Sequence, residues 1–175
     1  MKRYLSLSLL LVSLAALAAA DEPSSVPPDL GRVWQAQRNQ TLVQELVEGG
    51  LNLAKADNHL ERAQYCNDLA ANLAEEIRQA ADDHDGDRAV ELGRHLQDML
   101  QNGVAANLKK EREQVPHGST RETEINGVQA KSDDITAALL KDLNRILKDN
   151  PAALEQVLHA IQEAQTAVTA AGKGQ

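Results

Sequence analysis

The stretch AADDHDGDRAVEL, residues 80–92, concentrates aspartates and a histidine around one glycine. An EF-hand calcium loop needs oxygen ligands at positions 1, 3, 5 and 12 and a glycine at position 6. With Gly86 at position 6, Asp83 and Asp85 take positions 3 and 5, whereas Ala81 and Leu92 take positions 1 and 12. Because alanine and leucine side chains cannot bind a cation, the stretch does not match a calcium loop.

The same residues fit a connection between two helices. Gly86 can adopt the left-handed conformation that ends a helix, and Asp85 or Asp87 can cap the helix that follows. Carboxylates at the C-terminal end of the preceding helix are unfavourable there, which leaves a weak cation contact as the remaining metal hypothesis. Its candidate ligands are Asp83, His84, Asp85, Asp87, Glu91 and His95.

Two pairs of the form Glu-x-x-x-His add to the metal hypothesis, Glu91 with His95 and Glu155 with His159. Each pair shares one helix face, and Asp98 lies on the face of His95. Di-iron bundles use the different spacing Glu-x-x-His, directed into the core. Both pairs lie beside the apolar positions, so we interpret them as solvated side chains. His59, His84 and His117 are expected at helix ends or turns, on the surface.

The sequence contains neither a Gly-x-Ser-x-Gly nucleophile elbow nor a phosphate-binding glycine loop. It therefore predicts no enzyme and no cofactor. Cys66 is the only cysteine; we interpret it as a packed side chain, with an intermolecular bridge or a reactive thiol as the alternative. Asn67 and Ser132 interrupt apolar positions, where such residues line a pocket or, more often, fix helix register.

The N-terminus predicts export. Residues 1–20 combine Lys2 and Arg3, an apolar stretch and a final Ala-Ala-Ala, the pattern of a signal peptide, with an uncleaved anchor as the alternative. Residues 21–28 are predicted to form a flexible leader. Cleavage takes the formal net charge from −8 to −10, so a phosphate backbone repels the chain and nucleic acid is not an expected partner. We expect a periplasmic or secreted protein with no stable membrane anchor.

A 3.6-residue apolar period dominates from residue 29 onward and predicts five helices. The first follows a cap at Asp29, ends near Ala56 and contains Gly49-Gly50, which indicates a kink or a close helix contact. The second follows the capping pair Asn58 and Glu61. The third covers about residues 87–114. Further helices follow Ser119, which forms a capping box with Glu122, and the Asn150-Pro151 pair; the fourth helix begins instead at Ser132 if residues 119–131 form a loop.

These elements predict an all-α protein, an antiparallel up-and-down helical bundle of four long helices plus a shorter C-terminal helix, over residues 29–171. Residues 172–175 are expected to be a disordered tail. A long coiled-coil hairpin that dimerises is the structural alternative. The sequence is compatible with a monomer or a homodimer.

The segments LERAQYCNDLAANLAEEIRQAA and RAVELGRHLQDMLQNGVAANLKK, residues 60–81 and 88–110, resemble exported all-helical bacterial domains, some of them encoded near extracytoplasmic sigma and anti-sigma factors. The resemblance implies a place in the cell envelope and no catalytic residues. The first hypothesis is a non-enzymatic helical bundle that acts through contacts with an envelope protein, stress-linked or chaperone-like. The alternative is a periplasmic bundle that binds a metal or a small ligand.

Overall fold

The computed structural model describes residues 30–146 and 149–172, with side chains from residue 37 onward. These residues form helices and no strand, which confirms the all-α class. The third helix contains a π-helical segment, π1, so that α3, π1 and α4 are one continuous helix. The elements are α1 Leu30–Lys55, α2 His59–Asp82, α3 Gly86–Asp98, π1 Met99–Ala105, α4 Ala106–Arg112, α5 Thr120–Ile146 and α6 Pro151–Gly172.

Several sequence predictions fall outside the described residues. They are the signal peptide of residues 1–20, the leader of residues 21–28, the cap at Asp29 and most of the tail predicted for residues 172–175. Gly172 itself is the last residue of α6. In the described part of the chain, no helix is both long and apolar enough to cross a membrane.

Side-chain caps fix where α2 and α6 begin. The Asn58 side chain accepts a hydrogen bond from the backbone N–H of Glu61 at 2.9 Å, and the Glu61 carboxylate accepts one from the backbone N–H of Asp57 at 2.9 Å. The Asn150 side chain accepts from the backbone N–H of Ala153 at 3.3 Å. Each cap satisfies N–H groups that have no partner inside the helix, and both were predicted from the sequence.

The start of α5 decides between the two alternatives for residues 119–131. The Ser119 hydroxyl accepts from the backbone N–H of Glu122 at 3.2 Å, and the Glu122 carboxylate accepts from the backbone N–H of Gly118 at 2.5 Å. The helix begins at Thr120 and continues through Ile125, which is buried. The longer helix is therefore correct, and the later start at Ser132 is wrong.

The helices α2–α4 form one hairpin and α5–α6 form another. The Leu60 N–H bonds to the side chain of Glu111, and Arg88 pairs with Glu76, so α2 and the α3–α4 helix run in opposite directions. The hairpins pack through α2 against α5 and through α3 against α6. Asp68 pairs with Lys131 and Arg78 with Asp142, so α2 and α5 run parallel. Arg94 bonds to Gln156 and Gln97 to Glu163, so α3 and α6 also run parallel.

The predicted antiparallel up-and-down bundle of the first four helices is not confirmed in this arrangement. Consecutive helices of the two hairpins do reverse direction, but the hairpins stack in the same orientation, as pairs of helices do in α-helical repeat proteins. The core lies between the hairpins and consists mainly of leucine, isoleucine, valine and alanine. Its largest fully buried side chains include Leu60, Ile77, Leu96, Leu100, Leu108, Ile125, Leu139, Leu143 and Ile161.

The helix α1 packs on the first hairpin through only part of its apolar surface. Of the α1 side chains that the structure describes, only Leu42 is buried, while Leu46 and Leu53 are half-buried. A Cβ atom on Gly49 would overlap the side chain of Leu69, so the backbone of α1 approaches α2 closely at this glycine. The close helix contact predicted for the Gly49-Gly50 pair is confirmed at Gly49.

Candidate functional site

The acidic turn between α2 and α3 uses its carboxylates for local structure. Asp85 is the N-cap of α3, and its side chain accepts from the backbone N–H of Arg88 at 3.1 Å. Asp83 is the C-cap residue of α2 and accepts from the side chain of Gln79 at 3.3 Å. Asp87 is exposed in the first turn of α3, where negative charge is favourable. Of the two caps predicted for α3, Asp85 is the one observed.

The left-handed residue of this turn is His84, with φ of 59°, and not Gly86 as the sequence predicted. Gly86 is instead the first residue of α3 and is buried. A Cβ atom at Gly86 would lie 3.1 Å from the Cβ atom of Ala153 and would overlap the side chain of Asn150. The glycine therefore fits the close approach of α3 to the start of α6.

In the part of the chain that the structure describes, no group of three or more histidine, cysteine, aspartate or glutamate side chains is arranged to hold a metal ion. The candidates Asp83, His84, Asp85 and Asp87 are neighbours in one turn and do not form a cage. Glu91 and His95 lie one helical turn apart on the exposed side of α3.

The remaining histidines make local contacts. His159 lies 3.8 Å from the carboxylate of Glu163, one turn later in α6, and not against Glu155 as its sequence spacing suggested. His117 lies 3.2 Å from Glu122 and is exposed. His59 shares a hydrogen bond of 3.1 Å with Asn107 at the start of α2. The positions of His59, His84 and His117 at helix ends or turns are confirmed.

Buried polar side chains join α2 to α5. The Asn67 amide donates to the backbone carbonyl of Val128 at 2.8 Å, and the Ser132 hydroxyl donates to the Asn67 side-chain oxygen at 2.6 Å. Asn67 is completely buried and Ser132 nearly so. Because these groups satisfy one another, they fix the register of two packed helices and do not line a pocket.

Cys66 packs against π1, a segment that the sequence did not predict. A Cβ atom on Gly103 would lie 2.7 Å from the Cys66 sulfur, so the glycine allows the two helices to approach closely. Burial raises the pKa of the Cys66 thiol and so disfavours its reactive thiolate. The structure supports the interpretation of Cys66 as a packed side chain.

A buried carboxylate ties three helices together at the opposite end from the acidic turn. Glu111 of α4 accepts from the Leu60 backbone N–H at 3.2 Å and from the Arg121 guanidinium at 2.7 Å. Arg121 also donates to the side chain of Asn58 at 2.9 Å. The carboxylate of Glu111 is the main cause that raises the pKa of Arg121. This cluster positions helix ends.

An exposed apolar surface remains on α1. Val43, Val47 and Leu51 are 58%, 57% and 56% exposed. Among the described residues, these are the large hydrophobic side chains that are exposed. Their spacing of four residues places them along one helix face, which we call the α1 stripe. Soluble proteins rarely leave contiguous apolar side chains uncovered without a use for them.

A groove lies next to the α1 stripe, between α1 and the α3–π1 helix. It has a volume of about 740 Å³. Asn39 lies at its α1 edge, and Arg88 and Gly103 mark its extent along α3 and π1. We call it the α1–α3 groove. Its apolar floor consists of Leu42, Leu46, Leu73, Leu92 and Met99.

The rim of the α1–α3 groove is acidic. Arg88 lies 3.2 Å from the carboxylate of Glu76, and both side chains are largely buried, so this cation is compensated by the protein itself. Glu91, His95 and Asp98 complete the rim at exposed positions. Glu91 and Asp98 thus give the solvent-facing rim two carboxylates.

The described residues thus define an all-α domain of two stacked helical hairpins, with a partly covered helix and an acidic-rimmed apolar groove on one side. Comparison of the chain with protein-family models, curated proteins and solved structures finds no significant match in any of the three.

Proposed function

We propose that this protein is a non-enzymatic, exported helical domain that acts through protein–protein contacts in the cell envelope, as a stress-linked accessory or a chaperone-like module. The observation that carries the proposal is the α1 stripe of Val43, Val47 and Leu51, which lies exposed beside an apolar groove. The signal-peptide pattern of residues 1–20 and the resemblance to exported helical domains support the location.

The size of the stripe indicates a transient contact. Complete burial of a valine or leucine side chain contributes about 1.5–3 kcal/mol, so covering three side chains that are more than half exposed contributes about 3–5 kcal/mol. Association of two proteins costs at least about 4 kcal/mol in lost motional freedom. The stripe alone therefore does not hold a partner, and the adjoining groove must contribute to the contact.

Site-specific photo-cross-linking in exporting cells tests the proposal. A photoreactive amino acid is placed at position 47 or 51 of the full chain, and at position 52 as the matched control. Asn52 is exposed on the same helix, about 100° around its axis from Leu51 and about 140° from Val47. We expect cross-links to envelope proteins from positions 47 and 51 and none from position 52.

A second variant makes the test specific for apolar contact. Val47→Lys, in a chain carrying the photoreactive residue at position 51, is expected to abolish the cross-links, because burial of a charge at the contact is unfavourable. Asn52→Lys adds the same charge and is expected to leave them unchanged. Equal cross-linking from positions 51 and 52, or none from either stripe position, would contradict the proposal.

The alternative, a bundle that binds a metal or a small ligand, has one observation in its favour. The α1–α3 groove has a volume of about 740 Å³, and small-molecule sites have volumes of about 300–1,000 Å³. A ligand present at 100 times its dissociation constant stabilises the folded state by about 2.7 kcal/mol. Thermal melts with calcium, zinc, copper and nickel salts would detect this effect, and unchanged melting temperatures would exclude the metals.

A further inference from the structure

We infer that the α1–α3 groove and the α1 stripe together bind a basic amphipathic helix of a partner protein. The inference rests on the proposed function and specifies the partner of the same surface. Two properties of the described residues support the inference. One is the way in which α1 covers the first hairpin, and the other is the charge of the groove rim.

The stacking of helices indicates a helical occupant. The second hairpin covers one side of the first with two helices, α5 beside α2 and α6 beside α3. On the other side, α1 contacts α2 where Gly49 meets Leu69, while the surface above α3 and π1 forms the groove. One more helix in the groove would lie beside α1 and complete a second covering layer.

The dimensions of the groove fit such a helix. Its lining residues on α3 and π1 extend from Arg88 to Gly103, which corresponds to about 22 Å at a rise of 1.5 Å per residue. A partner helix of about four turns has this length. Its apolar face would contact floor residues such as Leu46 and Met99 and, at its edge, Val43 and Val47 of the stripe, as an amphipathic helix does in an apolar groove.

The charge of the rim selects a basic partner. Arg88 is paired with Glu76, which leaves Glu91 and Asp98 as the exposed carboxylates of the rim. Lysine or arginine residues flanking the apolar face of a partner helix would complement them. A second copy of this chain, whose formal net charge is −8, would meet electrostatic repulsion.

Fluorescence anisotropy with designed peptides tests the inference, using protein purified after expression of the full chain in an exporting bacterium. One labelled peptide is an amphipathic helix of about four turns with lysine and arginine beside its leucine face. Its twin carries glutamate at the same positions. We expect the basic peptide to bind at least about tenfold more tightly at low salt and the difference to shrink as salt is added.

Two charge variants locate the preference. Glu91→Gln with Asp98→Asn is expected to weaken binding of the basic peptide about fivefold, as the loss of two exposed ion pairs predicts. The matched control, Glu155→Gln with Asp82→Asn, removes the same charges from exposed positions outside the groove. It is expected to leave the affinity unchanged. Val47→Lys should weaken the binding of both peptides.

Several results would overturn the inference. Equal binding of the two peptides, or equal effects of the groove and control variants, would show that the rim does not select charge. Cross-links from positions 47 and 51 that join two copies of this chain would assign the surface to self-association. If those positions cross-link to envelope proteins while the basic peptide shows no preference, the inference fails and the proposed function stands. If they give no cross-links, both fail.

Discussion

Replacement of Glu111 by glutamine tests whether the buried carboxylate holds the ends of α2, α4 and α5 together. The Glu111 side chain is 10% exposed and accepts hydrogen bonds from the Leu60 backbone N–H and from Arg121. In Glu111→Gln one of the two acceptor oxygens becomes an NH₂ group that faces a donor. Loss of a hydrogen bond to a charged group, with a buried donor left unsatisfied, costs about 2 kcal/mol.

The hydrogen bond to the Leu60 N–H should account for most of this loss. The Arg121 side chain is 37% exposed, so solvent screens its ion pair with Glu111, and such pairs contribute less than about 1 kcal/mol. Arg121→Gln should therefore destabilise the protein less than Glu111→Gln does. For a chain of this length, a loss of 2 kcal/mol lowers the melting temperature by about 4–8 °C.

Circular dichroism at increasing urea concentration and at increasing temperature measures the free energy of unfolding and the melting temperature. The control is Glu113→Gln, the same substitution two residues later at an exposed position, where a change within about 0.5 kcal/mol is expected. The reasoning is refuted if Glu111→Gln and Glu113→Gln have equal effects, or if Arg121→Gln is the more destabilising of the two cluster variants.

Three further substitutions test other contacts by the same measurements. Asn67→Ala removes one of the two acceptors of the buried Ser132 hydroxyl and the amide that donates to the Val128 carbonyl, and should lower the free energy of unfolding by about 2 kcal/mol; Gln64→Ala, at an exposed position of α2, should have little effect. Gly103→Ala places a methyl group against the Cys66 sulfur and should lower the free energy of unfolding by about 1–3 kcal/mol. Adding Cys66→Ala to the same chain should recover part of this stability. Burial and the nearby Asp134 raise the pKa of Asp133 above its ordinary value of 3.8, so its charged form destabilises the folded state as pH rises through that raised pKa. Asp133→Asn should stabilise the protein at neutral pH, and the gain should disappear below pH 3.8; a gain that does not depend on pH would contradict this cause.

Local signals in the sequence predicted where the helices begin. The capping pair of Asn58 and Glu61 has a defined geometry that depends on a few neighbouring residues, and the same is true of Ser119 with Glu122. The apolar positions of α2 were also predictable, since Leu60, Ala63, Ala70 and Ile77 repeat at helical spacing and all of them are buried.

The features that the sequence did not predict lie where residues distant in the chain pack against each other. Glycine was the expected left-handed residue of the acidic turn, yet His84 takes that conformation, and Gly86 lies where α3 meets α6. The π1 segment and the parallel stacking of the two hairpins likewise depend on packing between helices.

The sequence of α1 contains a signal for its uncovered face. Leu42 with Val43 and Leu46 with Val47 are adjacent apolar residues, which lie about 100° apart on a helix. Such pairs make the apolar surface wider than one packing contact requires. The structure shows Leu42 buried and Leu46 half-buried, whereas Val43 and Val47 are exposed.

The stacking of the hairpins has a consequence for the order of folding. The hydrogen bonds that join the hairpins connect residues separated by nearly the same distance along the chain, 61 residues for Asn67 with Val128 and 66 for Gln97 with Glu163. Contacts within each hairpin close shorter loops near its turn, and short loops close sooner. We therefore expect the hairpins to form first and then dock in one step, so that alanine substitution of Asn67 accelerates unfolding more than it slows folding.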